Sequence, residues 1–254
     1  MNELVSIIIP YYNASKYIQE TIDSIINQTY KIWEILIIDD CSTEKNTKKI
    51  LDSIASLDER IKILKTPHNC GAGAARNIGI KSSNGRYLAF CDSDDWWYPS
   101  KLEEQLVFMQ KNKHEMTCTY YEDANISLEP YYIVKQKYRQ NYKDLIKGCN
   151  IGTPGVIIDT KRIGKKEMPS LRRAEDWGYW MVLLKEIDYI YTCPKVLWKY
   201  RHVSNSETSN KFKMLKSVIN MYSIVLKFSK LEAYLICFFI FLPNNILKKV
   251  KKFF

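Results

Sequence analysis

Glycine and proline are scarce, nine and eight of 254 residues. That scarcity excludes collagen-like and linker-rich material. No block recurs at a fixed period, which excludes a solenoid or a propeller. Seven cysteines are scattered at positions 41, 70, 91, 118, 149, 193 and 237 without a C-x-x-C pair. Neither a zinc site nor a disulfide framework is expected from them, and reduced thiols fit a cytoplasmic protein. The opening Met1-Asn2-Glu3-Leu4 runs straight into a strand pattern, so no signal peptide is expected. The longest apolar run, residues 233–242, falls short of the roughly 20 residues that span a bilayer as a helix.

What is present is a chain able to fold. It is 46% hydrophobic and 26% charged, enough apolar material for one sizeable core and too much for wholesale disorder. The net charge of +10 is uneven: +2 over residues 1–200 and +8 over residues 201–254. The basic tail calls for an anionic partner, a membrane surface or a nucleic acid.

The first half alternates two periods. Strand patterns run from Val5 to Ile9, Glu34 to Ile38, Ile61 to Leu64 and Arg86 to Cys91. Helical patterns lie between them, over residues 17–26, 45–56 and 71–82. Near-continuous apolar strands separated by helices predict an α/β fold with a parallel sheet covered on both faces. Beyond Asp95 the pattern loosens. Helices are expected over 101–112, 175–186 and from Lys211 onward, with strands at 116–121, 131–137, 155–158 and 196–200. A boundary is placed near residue 205.

In open parallel sheets ligands bind beyond the carboxyl ends of the strands. Four such places carry polar or aromatic residues: Pro10-Tyr11-Tyr12-Asn13, Asp39-Asp40, the loop 66–77, and Asp92-Ser93-Asp94-Asp95. Three crowded carboxylates favour a hard cation, Mg²⁺ or Mn²⁺, shared with a substrate phosphate; alternatively they cap a helix in water. Gly71 and Gly73 ahead of a helix let the backbone approach an anion, with Arg76 adding a charge-assisted contact, or else they serve tight helix–sheet packing. The stretch fails as a dinucleotide fingerprint because it does not follow the first strand and Arg76 stands at its third glycine position. Asp39-Asp40 suits a turn or a ribose and base contact, and the Tyr11-Tyr12 pair offers a ring to stack on a base.

The ordered set resembles the family-two inverting glycosyltransferases of the GT-A fold, in particular small bacterial enzymes of surface-polysaccharide and O-antigen assembly. The residues that carry the resemblance are 5–13, 25–30, 37–42, 71–79, Phe90-Cys91-Asp92-Ser93-Asp94-Asp95 and Glu175-Asp176-Trp177. It covers about residues 4–205. It implies a Rossmann-like, mostly parallel sheet, with a nucleotide-binding half at about 1–98 and an acceptor half at about 99–205. It further implies that Pro10 and Tyr12 line the base pocket, with Tyr12 on uracil. Asp40 would hold base or ribose, and Arg76 would lie near the nucleotide. Asp92-Ser93-Asp94 matches the family's D-x-D, with Asp94 as metal ligand and Asp176 as catalytic base. His202 falls where some relatives place a residue over the diphosphate or metal.

The implied reaction moves one hexose from a UDP-sugar to a saccharide hydroxyl. It needs a carboxylate base and a cation at the leaving diphosphate, but no covalent nucleophile. The Q-x-x-R-W motif of processive members is missing, so a single transfer is expected. A nucleotidyltransferase would place a Lys or Arg directly after the first strand, and a nucleic-acid binder would line its folded body with basic residues; this chain does neither. Residues 206–254 read as a helical tail. Ile246, Leu247, Val250, Phe253 and Phe254 share a helical face flanked by lysines, which suits a helix lying in an anionic membrane interface, or else the tail is a helix pair packed on the domain with its lysines in water. The protein is therefore expected at the cytoplasmic face of the cell membrane, working on a lipid-linked acceptor.

Overall fold

The computed structural model describes residues 2–203 and 211–244. The expected boundary near residue 205 and the amphipathic end at 246–254 lie outside the described residues.

The first half is built of β1 (Val5–Tyr11), α1 (Ile18–Ile26), β2 (Trp33–Asp39), α2 (Thr47–Ala55), β3 (Ile61–Lys65), α3 (Ala72–Ser82) and β4 (Tyr87–Phe90). Strand β1 pairs in parallel with β2 on one side and with β4 on the other, and β2 pairs in parallel with β3. The order β3-β2-β1-β4 reverses direction between β1 and β4. That reversal opens a crevice at the carboxyl ends of these strands, the usual place for a ligand in an open α/β sheet.

Alternation along β1 explains the two layers. Ile7 and Ile9 face a core formed with Ile18, Ile22 and Ile25 of α1 and with Leu51 and Ile54 of α2. Ile8 faces the opposite core, shared with Ala75 and Ile80 of α3 and with Trp180. Both faces being covered, β1 and β2 read as unbroken apolar runs rather than alternating ones.

The second half continues the same sheet. It comprises β5 (Trp96–Trp97), α4 (Lys101–Asn112), β6 (Met116–Ala124), β7 (Pro130–Val134), β8 (Arg139–Gln140), α5 (Tyr142–Leu145), β9 (Ile157–Asp159), α6 (Thr160–Ile163), α7 (Glu175–Leu183) and β10 (Ile190–Arg201). Strand β9 runs antiparallel between β4 and β6, and β6 pairs in parallel with β10. Short β5 and β8 lie antiparallel on β10, and β7 lies antiparallel on β6. Antiparallel insertion of β9 is what joins the nucleotide-side strands to the later ones in one sheet.

Helices α8 (Lys211–Asn220) and α9 (Lys230–Ile236) follow, and each continues into a wider π-type turn, at Met221–Val225 and Cys237–Phe241. Val218, Met221, Tyr222, Val225, Ala233 and Cys237 join the same core as Ile8 and Trp180. Trp177 of α7 packs edge-on against Tyr222 and lies 5.6 Å from Phe241, centroid to centroid. The tail helices thus rest on α7. No helix among the described residues is long and apolar enough to cross a membrane.

Candidate active site

Four loops leave the carboxyl ends of β1 to β4 side by side. Pro10 and Tyr11 end β1, Tyr11 wholly buried in the core beneath, and Tyr12 follows with its side chain half exposed. Of the two rings, only Tyr12 is open to a base; Tyr11 is support, as strand alternation requires. Asn13 adopts a left-handed backbone (φ 49°). Its Oδ1 accepts from the Thr43 and Glu44 amides, and its own amide donates to Ser42 Oγ. Asn13 therefore laces the β1 loop to the β2 loop.

Asp39 and Asp40 are both buried. Asp39 Oδ1 accepts from the Ser42 amide. Asp40 Oδ1 accepts from Thr66 Oγ1 and the Cys70 amide, each at 2.9 Å, and from Cys70 Sγ, while Oδ2 accepts from the Gly71 amide at 2.7 Å. Burial works against ionisation of Asp40, but the Cys70, Gly71 and Thr66 donors outweigh it and hold the carboxyl below its usual range. Three donors share Oδ1 and one takes Oδ2, so the one remaining lone pair is on Oδ2. The first task of Asp40 is to pin the Cys70-Gly71 loop, where Gly71 takes φ 91°, a conformation glycine alone adopts without strain.

That loop launches α3, and α3 carries Arg76 into the centre. Arg76 is almost wholly buried. Its Nη2 donates to Asp92 Oδ1 at 2.5 Å and its Nη1 to Glu175 Oε1 at 3.0 Å. Burial opposes the guanidinium charge, but Asp92 and then Glu175 outweigh it, so Arg76 stays firmly protonated. This placement differs from a contact made purely to a diphosphate: two donor-bearing nitrogens are engaged by carboxylates. Gly73, one turn earlier, is what lets Glu175 in, since a Cβ there would stand 2.8 Å from Glu175 Cγ.

Glu175 and Asp176 open α7, after Ala174 in a left-handed conformation (φ 57°). Asp176 Oδ1 accepts from the Trp177 amide at 2.7 Å and Oδ2 from Thr153 Oγ1 at 3.2 Å. Burial and then the neighbouring Asp176 charge push Glu175 up to about 7, Arg76 pulling the other way. Burial also raises Asp176, with Arg76 again opposing. A carboxylate poised nearer neutrality is what a general base requires.

The Asp92-Ser93-Asp94-Asp95 turn follows β4. Burial and then Asp92 push Asp94 up to about 6; burial, then Asp94 and Asp92, raise Asp95 well above its usual range. Asp95 Oδ2 is buried without a hydrogen-bond partner. Crowded carboxylates with raised protonation and an open buried oxygen are the donor set a hard divalent cation fits. Among the described residues, however, no trio of His, Cys, Asp or Glu side chains forms a ready metal cage. His202 Nε2 lies 2.5 Å from Asp123 Oδ1, so its recorded partner is Asp123.

Arg201, one residue earlier, has the role that sequence reasoning missed. It is buried at the end of β10. Its backbone amide donates to Asp95 Oδ1, Nε to the Asp94 carbonyl, Nη1 to the Ile126 carbonyl and Nη2 to Glu20 Oε2. Arg201 therefore clamps the acidic turn to the loop between β6 and β7 and to α1. Thr21 Oγ1 adds a contact to the Asp95 carbonyl at 2.7 Å. A lone arginine at a strand end was the available signal, but its partners come from three distant segments.

The family model for glycosyl transferase family 2 matches residues 6–167, which takes in all four loops. The chain belongs to glycosyl transferase family 2. It is 36% identical over 250 residues to TuaG of Bacillus subtilis (strain 168), a glycosyltransferase assigned to teichuronic acid biosynthesis, covering 97% of this chain and 98% of TuaG. It is 38% identical over 215 residues to Escherichia coli WfgD, named UDP-Glc:alpha-D-GlcNAc-diphosphoundecaprenol beta-1,3-glucosyltransferase, covering 84% of this chain and 83% of WfgD. Among solved structures, S. aureus TarS 1–349 in complex with UDP-GlcNAc superposes with a TM-score of 0.70 over 92% of this chain and 70% of that one, at 20% identity. The fold of this glycosyltransferase is accordingly GT-A, and the expected mostly parallel α/β sheet is present.

Proposed function

We propose that this glycosyltransferase moves one hexose, with inversion, from a UDP-sugar to a hydroxyl of a lipid-linked saccharide in bacterial surface-polysaccharide synthesis. The observation that carries the reading is Arg76: one guanidinium joins Asp92 of the D-x-D turn to Glu175 beside Asp176. Donor-side and acceptor-side acids, 83 residues apart in sequence, thereby share one centre. The relatives' names support a UDP-sugar donor, a diphosphoundecaprenol-linked acceptor and surface-polymer assembly.

In this reading Pro10, Tyr12 and the loop of Asp39 and Asp40 receive uridine, with Tyr12 stacked on the base. Asp92, Ser93 and Asp94 face the diphosphate, and Asp94 would hold Mn²⁺ or Mg²⁺; His202, just past β10, would join it only by leaving Asp123. When bound, the cation neutralises the departing diphosphate. Asp176 takes the acceptor hydroxyl proton on Oδ2 as the hydroxyl oxygen bonds to the anomeric carbon and the bond from that carbon to the diphosphate breaks. Thr153 and the Trp177 amide hold the carboxylate at its angle. Glu175 is the lesser candidate because Arg76 already occupies its carboxylate. Residues 1–205 form the transferase and residues 206–254 a tail that keeps it at the inner face of the membrane.

The experiment is a panel of nucleotide sugars with a saccharide–diphospholipid acceptor, products read by proton NMR. A β-linked product from an α-linked UDP-hexose is expected. An α-linked product, or preference for a non-uridine donor, overturns the corresponding part.

A further inference from the structure

Helix α9 and the turn after it have two apolar faces. Ala233 and Cys237 are buried against the domain, and Phe241 reaches Trp177. Leu231, Tyr234, Leu235, Phe238 and Phe239 recur at i, i+3, i+4, i+7 and i+8, and all five are exposed, from 46% at Leu235 to 75% at Phe239. That spacing makes one continuous stripe. A soluble helix turns such a stripe toward its own core; this one turns it outward while a different face meets the core. Contiguous exposed apolar surface of this kind marks an interaction site. Between Glu232 and Leu242 no charged residue interrupts it.

We propose that this stripe is a docking face for an anionic phospholipid bilayer, with α9 lying in the interface plane and its five side chains immersed. Charge complementarity selects the occupant. The chain beyond the stripe carries Lys248, Lys249, Lys251 and Lys252 and no acid, so a negative headgroup layer meets the cations while acyl chains take the rings. The sequence alone places the apolar face at 246–254; the structure adds a separate face at 231–239. Because α9 leads through Phe241 to Trp177, and Trp177 adjoins Asp176, the docked bilayer lies at a set distance from the base. The docking deepens the proposed reading of residues 206–254 as a membrane tail, and its purpose rests on the proposed lipid-linked acceptor.

The test uses the full chain, flotation with vesicles of neutral phosphatidylcholine or of phosphatidylcholine with phosphatidylglycerol, and a Phe238→Ser/Phe239→Ser variant. Both rings are exposed, so the variant's melting temperature and UDP-sugar hydrolysis should match the parent. The parent is expected to float with the anionic vesicles and less so in high salt, and the variant to bind about tenfold weaker per ring removed. Equal flotation of parent and variant, no flotation of the parent, or equal binding to neutral vesicles overturns the proposal. So does a parent dimer that the variant dissolves, which would make a second copy the occupant. A chain that floats as expected but turns over no UDP-sugar leaves the docking face standing and overturns the donor assignment instead.

Discussion

Replacing Asp176 by Asn separates a chemical role from a structural one. Asn keeps an oxygen for the Trp177 amide and places an NH₂ where Oδ2 stood; the Thr153 hydroxyl then rotates to accept from it. Neither hydrogen bond is lost. Only the charge goes, worth about 0.3–1 kcal/mol at a helix N-terminus. Arg76 loses an attraction too, but relief of the charge's burial and of its repulsion of Glu175 outweighs both, in keeping with the raised Asp176 carboxyl. The melting temperature should therefore move by no more than about 4 °C in a chain of this size. Turnover should fall by at least about 10²-fold, roughly 2.7 kcal/mol of barrier, because an amide accepts no proton. UDP affinity, measured by calorimetry on the same preparation, should stay within about twofold, since no nucleotide loop rests on Asp176.

The pH profile supplies the refutation. A base works ionised, so the rate rises with pH through its pKa, and burial places that rise for Asp176 above the ordinary carboxylate range. If Glu175 were the base, neutralising Asp176 would remove the charge that pushes Glu175 upward. The rate would then persist within a few-fold of the parent, with its acid limb shifted to lower pH. That result would sink the assignment of Asp176.

Asp94→Asn should abolish metal-dependent transfer. Because the folded pKa of Asp94 is raised from 3.8 to about 6, its contribution to stability is present below about pH 4 and lost as pH rises through 6. In metal-free buffer the variant should thus lose less melting temperature than the parent between those values and gain none from Mn²⁺ with UDP; a parent-like response to both contradicts the metal role. Gly73→Ala should drive Glu175 off Arg76, lowering turnover more than about tenfold and stability by about 1–3 kcal/mol; parent-like turnover and melting would show the contact to be dispensable.

The α/β alternation was legible because burial on both faces writes itself into local composition: β1 to β4 and α1 to α3 lie where their periodicities place them. The four loops were legible because strand ends are local and the carboxyl-end rule needs only strand direction. The sequence also determined the basic tail and the pairing of Glu175 with Asp176 at a helix start. Partnership was not legible. Nothing in the run Gly71 to Asn77 shows that Arg76 will be claimed by Asp92 and Glu175 together, or that Gly73 is small for Glu175. Nor does Tyr200-Arg201-His202 show that Arg201 clamps the acidic turn while His202 turns to Asp123. The antiparallel β9, three residues long, is too short for its direction to be written in any pattern. Periodicity reports which side of an element is buried, but a charge is satisfied by whatever the packed chain brings within reach. Pairings across 16, 99 or 107 residues exist only once the sheet has closed around them.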